Sequence, residues 1–344
     1  VVTANASSAG ICFTGTVILT GGGASTYSWT GGVTNGTVFS PPATASYSVS
    51  GTSTAGCTST NVAAVVVSVT PLPAINGSAN NPVICFGNSV TLNGSGGNTY
   101  TWTAAAGNPS NGVAFSPTAT ASYSVIGTSL AGCTNTTPAV ITVTVNSLPN
   151  VSASSSSSAI CIGSTVSLAG SGANTYTWNG GVINATAFSP TSTTGYTVTG
   201  TDGNSCQNTA TISVVVNPIP TVSAVSSSSV ICFGKSVTLS GSGANTYTWT
   251  NGVTNNTAFS PTSTATYSVI GTSAAGCVSS NTGVVSVTVN SLPNVTASTA
   301  NTVICFGGTT TVNGGGASTY SWSGGITNAS SFSPASSSVY TVTG

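Results

Sequence analysis

Valine, leucine and tyrosine alternate with serine, threonine and asparagine along most of this chain, the two-residue period of β-strands with one dry face and one wet face. In residues 221–293 the alternation predicts strands at 221–224, 236–240, 246–250, 265–270 and 283–289. A short run at 258–261 follows the turn-forming Asn251-Gly252 and Asn255-Asn256. Six or seven such strands make a small sandwich, and Tyr247 and Trp249, two residues apart, share a face.

The same order of landmarks recurs five times: Cys-(Phe/Ile)-Gly or a close variant, Thr-Tyr-(Thr/Ser)-Trp, Phe-Ser-Pro and an aromatic β run, followed in four units by Gly-Cys or Ser-Cys. The leading cysteines are Cys12, Cys85, Cys161, Cys232 and Cys305, in steps of 73, 76, 71 and 73 residues. A period this long suits self-contained sandwiches in tandem rather than a solenoid. The expected fold is therefore all-β, with immunoglobulin-like β-sandwich domains at 1–73, 74–149, 150–220 and 221–293 and an incomplete one at 294–344. Pro71-Leu-Pro73, Ser147-Leu-Pro149, Asn217-Pro-Ile-Pro220 and Ser291-Leu-Pro293 join them. Links this short and proline-stiffened limit bending and predict an elongated rod.

Trp29, Trp102, Trp178, Trp249 and Trp322 keep the same beat, and each has a tyrosine two residues before it. The pairs suit a sugar-stacking platform, but their place in every unit is also where a sandwich needs its core aromatics, and the tryptophans are read as core.

Cys12 and Cys57, Cys161 and Cys206, and Cys232 and Cys277 are each 45 residues apart, and Cys85 and Cys133 are 48 apart. Disulfides within each unit are the simplest expectation, each closing a loop worth roughly 4 kcal/mol in the chain-entropy model. Links between units, such as Cys57 to Cys85, would crosslink neighbours instead. Cys305 has no partner at that spacing, and its unit lacks the final valine-rich strand. The expectation is a window cut from a longer polypeptide, with a strand donated by another molecule as the alternative.

Composition narrows the setting. The 344 residues hold one base, Lys235, one acid, Asp202, and no histidine, against 42 glycines. Ordinary domains are about a quarter charged. General acid–base catalysis has no residues to draw on, and a triad or a metal shell none either, so no enzyme, cofactor or metal site is expected. Binding to nucleic acid lacks its bases, and calcium rigidification lacks carboxylates. Disorder is opposed by 39% hydrophobic residues in register with strand alternation.

A disulfide framework implies export. The chain shows no signal peptide, and its longest apolar run, 62–67, is too short to span a membrane. Asn-X-Ser/Thr sequons stand at Asn5, Asn76, Asn93, Asn135, Asn150, Asn184, Asn255, Asn294 and Asn328. Glycans, or lateral packing of copies, would cover sheet edges that carry no protective charge.

The Tyr-Thr-Trp strand, the Phe-Ser-Pro turn and the run from Ala265 through Gly271 to Gly276-Cys277 resemble the immunoglobulin-like or PKD-like repeats of very large secreted surface proteins of Bacteroidota, gliding-motility adhesins among them. The likeness spans essentially the whole chain. Where that family usually has Asp-(Ala/Ser)-Asn-Gly-Cys, this chain has Ser273-Ala-Ala-Gly-Cys277 and Asp202-Gly-Asn-Ser-Cys206. The expected role is a structural part of an extracellular filament or cell-surface stalk. The alternative is an array of adhesive modules for glycans or another surface.

Overall fold

A computed structural model describes residues 1–344, all of them in β architecture apart from turns and four one-turn 3-10 segments. In the first repeat the alternation yields β1 (Thr3–Ala6), β2 (Gly10–Cys12), β3 (Val17–Gly22), β4 (Thr26–Trp29), β5 (Val38–Phe39), β6 (Ala45–Thr52) and β7 (Ala63–Thr70). β1-β3-β5 form one sheet and β2-β7-β6-β4 the other. Every pairing is antiparallel except β2 with β7, which run parallel with Cys12 opposite Thr70.

Between the sheets lie Val17 and Leu19 from one side and Trp29, Tyr47, Val49 and Val67 from the other, all buried. Each of these strands sends every second side chain inward, as β6 shows with Tyr47, Val49 and Gly51 buried in turn. Packing of this kind is what lets a unit of some 73 residues hold together, since small domains bury a smaller share of their surface. The second and fourth repeats build the same pair of sheets and repeat these six core positions, with Ile84 and Ile231 of the parallel strand buried beside them.

In the fourth repeat the strands are Ser223–Ser226, Val230–Cys232, Val237–Ser242, Thr246–Trp249, Ala258–Phe259, Ala265–Thr272 and Gly283–Asn290. Six lie where the alternation puts them, within a few residues. The seventh, Val230–Cys232, is the parallel strand, and three residues are too few to show a period.

The chain forms two compact units. One comprises Val1–Ser154, Leu168–Thr186 and Tyr196–Ile212; the other comprises Ser155–Ser167, Ala187–Gly195 and Ser213–Gly344. No helix is long and apolar enough to cross a membrane.

Candidate functional site: staples between successive repeats

In the first four repeats the leading cysteine ends a short parallel strand. Cys232 pairs with Asn290, the last residue of the last strand, so it sits at the end of the sandwich from which the chain leaves for the next repeat. The second cysteine lies in the turn just before that same strand, at the opposite end. Ser273 builds the turn: its hydroxyl accepts the Cys277 N–H at 3.1 Å, and its own N–H donates to the Cys277 carbonyl at 2.8 Å. Gly276 closes it with φ of 81°, a conformation that costs glycine little. In the third repeat Asp202 replaces the serine, and its Oδ1 accepts the N–H groups of Asn204 at 2.9 Å and Cys206 at 2.8 Å. The chain's one acid is thus an anchor of this turn.

The strand that separates the two cysteines has eight residues in the first, second and fourth repeats and eleven in the third, which at roughly 3.3 Å per residue puts them about 26 Å or more apart. A disulfide needs Cα atoms within about 7 Å. The expected pairs Cys12–Cys57, Cys85–Cys133, Cys161–Cys206 and Cys232–Cys277 are therefore corrected, and Cys57–Cys85 does not form either. The disulfides are Cys12–Cys133, Cys85–Cys206 and Cys161–Cys277, with Cα separations of 5.5, 5.5 and 5.6 Å. Each joins the leading cysteine of one repeat to the second cysteine of the following one. Cys57 and Cys232, expected in disulfides, are free and exposed, as is Cys305.

Pairing also sets burial. Cys133, Cys206 and Cys277 are at most 2% exposed, whereas the unpaired Cys57 at the same place in the first repeat lies in solvent. The staples enclose 121, 121 and 116 residues and overlap, Cys85 lying inside the first loop and Cys161 inside the second.

The junctions are fitted from the chain side as well. At the start of the fourth repeat Asn281 accepts the Val222 N–H at 3.1 Å and donates to the Val222 carbonyl at 2.7 Å, tying the incoming chain to the loop that follows Cys277. Gly243, with φ of 95°, lies beneath the Thr221 carbonyl, where a Cβ would collide with the oxygen.

Trp29, Trp102, Trp178, Trp249 and Trp322 are all buried, between 2% and 6% exposed. Each donates its Nε1–H to an asparagine Oδ1 at 3.0 Å: Asn35, Asn111, Asn184, Asn255 and Asn328 in order. The same oxygen accepts a backbone N–H from the neighbouring strand, as from Gly241 at 2.7 Å. Spacing alone does not fix that clamp: an asparagine stands six residues after every one of the five tryptophans, yet in the second repeat the acceptor is Asn111, nine after Trp102, and not Asn108.

Tyrosine hydroxyls are spent locally. Tyr247 donates to the Ala244 carbonyl at 2.7 Å and accepts the Ala244 N–H at 2.9 Å, and the other four repeats do the same. A stacking platform gains nothing from hydroxyls held in this way. Among the sequons, Asn184, Asn255 and Asn328 belong to tryptophan clamps, and Asn135 is 8% exposed with its amide bonded to Gly127 and Thr137.

No protein-family model matches the chain, and no curated protein matches it. Among solved structures it is similar to a calcium-stabilised adhesin that helps an Antarctic bacterium reach out and bind ice, at 18% identity over 84% of this chain and 99% of that one, with a TM-score of 0.32. It is similar also to the D1–D4 ectodomain fragment of ICAM-5, at 11% identity over 84% and 100%, TM-score 0.33. A third likeness is to a 1.5-MDa bacterial ice-binding adhesin, at 20% identity over 64% and 98%, TM-score 0.27.

Proposed function

We propose that the chain is a load-bearing segment of an extracellular stalk or filament at the cell surface, in which successive sandwiches are locked to one another covalently. The observation that carries this reading is the placement of Cys12–Cys133, Cys85–Cys206 and Cys161–Cys277 between repeats rather than within them. A staple inside a sandwich would strengthen that sandwich alone. One that bridges a junction fixes the junction and gives tension a covalent route around the linker.

Cys12–Cys133 and Cys161–Cys277 do not overlap, so together they keep roughly two-thirds of the backbone out of the path of a force applied at the two ends. The disulfides support an oxidising compartment outside the cytosol. Valines left in solvent, such as Val140 and Val284 at equivalent places in the second and fourth repeats, 61% and 57% exposed, suit lateral contact between neutral copies.

Single-molecule stretching from the two termini tests the reading. The oxidised chain should release about a third of the contour length of the reduced chain. Equal contour lengths under the two conditions would refute the staples as mechanical elements.

A further inference from the structure

In an Asn-Gly pair the backbone nitrogen of the glycine can attack the asparagine side-chain amide, because no side chain on the glycine stands in the way. The chain holds seven such pairs, and the fold restrains six of them. Asn35 and Asn111 are tryptophan clamps, each with an Oδ1 that accepts two N–H groups. The N–H of the glycine that follows each, the nucleophile in such an attack, donates to the carbonyl of Leu19 or Leu92 at 2.9 Å. Asn76, Asn93 and Asn313 lie in paired strands, and the glycine N–H after the last two donates to a clamp asparagine at 2.6 and 2.7 Å. Asn179 accepts the Thr197 N–H at 2.9 Å.

Asn251 is exposed, and no hydrogen bond holds its amide. Its φ of 57° lies in the left-handed region, where the first, third and fifth repeats place Gly31, Gly180 and Gly324 at 73°, 67° and 74°. Gly252 follows, also exposed, with nothing within 4 Å of where its Cβ would stand. A free amide, a backbone that glycine adopts more readily than asparagine, and an uncrowded nucleophile coincide at this one position.

We propose that Asn251 is a site of spontaneous deamidation, the one Asn-Gly pair that reacts while the chain is folded. The Gly252 nitrogen forms a bond to the Asn251 Cγ, the Cγ–Nδ2 bond breaks, and the amide group leaves as ammonia with the glycine proton. Water then opens the five-membered imide at either carbonyl, which leaves aspartate or isoaspartate. The chain has a single acid and a formal charge of 0, so one event doubles its acids and takes the charge to −1. On a protein this neutral, the charge becomes a record of age. The site depends on neither the staples nor lateral contact.

The test incubates the full 344-residue chain in mildly alkaline buffer. Samples taken over weeks are mapped by peptide mass spectrometry, with isoelectric focusing of the intact chain alongside. Asn251 should convert at least about tenfold faster than any other Asn-Gly pair, the factor that corresponds to breaking one hydrogen bond first. In urea, where the restraining bonds are gone, the seven rates should converge. Asn251→Gly, which restores the residue of the first, third and fifth repeats, should keep the fold and abolish the early acidic band. Conversion at Asn179 or a clamp asparagine as fast as at Asn251 in the folded chain would overturn the proposal. So would an acidic band that survives Asn251→Gly, or a preference for Asn251 that persists in urea and therefore comes from local sequence alone.

Discussion

The fourth and fifth repeats, seventy-three residues apart and close in sequence, differ in one element and so show what that element does. Both bury their tryptophan, Trp249 at 6% and Trp322 at 5% exposed. Both keep the asparagine clamp and an edge-to-face phenylalanine–tyrosine pair, Phe259–Tyr267 at 5.4 Å and Phe332–Tyr340 at 5.2 Å. The three-stranded sheet and the aromatic centre therefore form without the last strand. Everything that leans on that strand is changed. Val230–Cys232 is a strand, whereas the stretch at 303–305 is not; Ala265–Thr272 has eight residues in the sheet, and its counterpart Val342–Thr343 has two. Phe233 is 49% exposed and Phe306 is 97% exposed. The last strand lies in the middle of the four-stranded sheet, and the leading cysteine belongs to a strand where that strand is there to pair with it.

The staple should give the largest difference. Cys161–Cys277 ties the fourth repeat to the third, while the fifth has no staple. Replacing Cys161 and Cys277 together by serine should lower the stability of the fourth repeat by up to about 5 kcal/mol, the chain-entropy value for a loop of this length. Hydrogen exchange resolved by repeat would show it as loss of protection in Gly283–Asn290 with no change in the fifth repeat. An equal loss in both repeats would break the comparison.

Tyr267→Ala and Tyr340→Ala probe the core next. Tyr267 is 4% exposed, and its removal should cost the fourth repeat about 3–5 kcal/mol. Tyr340 is only half-buried and faces an open groove of the fifth repeat, so truncation there removes fewer contacts and should cost less than half as much. Urea unfolding of the two variants, followed by tryptophan fluorescence with Trp249 or Trp322 as the reporter, measures both. A smaller effect follows from the clamp, which the two repeats share. Asn255→Ala and Asn328→Ala should each cost about 1–3 kcal/mol, because a buried indole N–H and a strand N–H lose their common acceptor. Equal costs would show that the clamp works without the last strand, and a cost confined to Asn255 would show that it does not.

How far this architecture was legible depended on the length of each signal. Strands of six to eight residues, such as Val237–Ser242 and Ala265–Thr272, announce themselves by alternation, and with them the sandwich and its tryptophan core. Val230–Cys232 is too short to carry a period, and because it pairs in parallel no hairpin turn marks it. Missing it hid the end of the sandwich on which Cys232 stands, and without that position a spacing of 45 residues looked like a loop to be closed. Spacing along the chain does not give spacing in the fold: a single extended strand holds the two cysteines about 26 Å apart. Asn255 was read as a glycosylation sequon, since nothing local in the sequence reveals that its amide faces the Trp249 indole.

The smallest expected effect concerns salt, and it sharpens the comparison by what should not change. Ion pairs between exposed charges weaken as the Debye length falls from about 10 Å at 0.1 M to about 3 Å at 1 M. Apart from any terminal groups, the only full charges on this chain at neutral pH are Lys235 and Asp202, and the carboxylate of Asp202 is engaged with backbone N–H groups of its own turn. What separates the fourth repeat from the fifth is apolar burial, main-chain pairing and one disulfide, none of which sodium chloride screens. The difference in their hydrogen-exchange free energies should therefore stay constant to within about 0.5 kcal/mol from 0.05 to 1 M, the size of a single exposed ion pair. A difference that narrows as salt rises would mean that charge, from Lys235 within the fourth repeat or Asp202 in the third, contributes to holding the fourth together, and the last strand would no longer account for the contrast by itself.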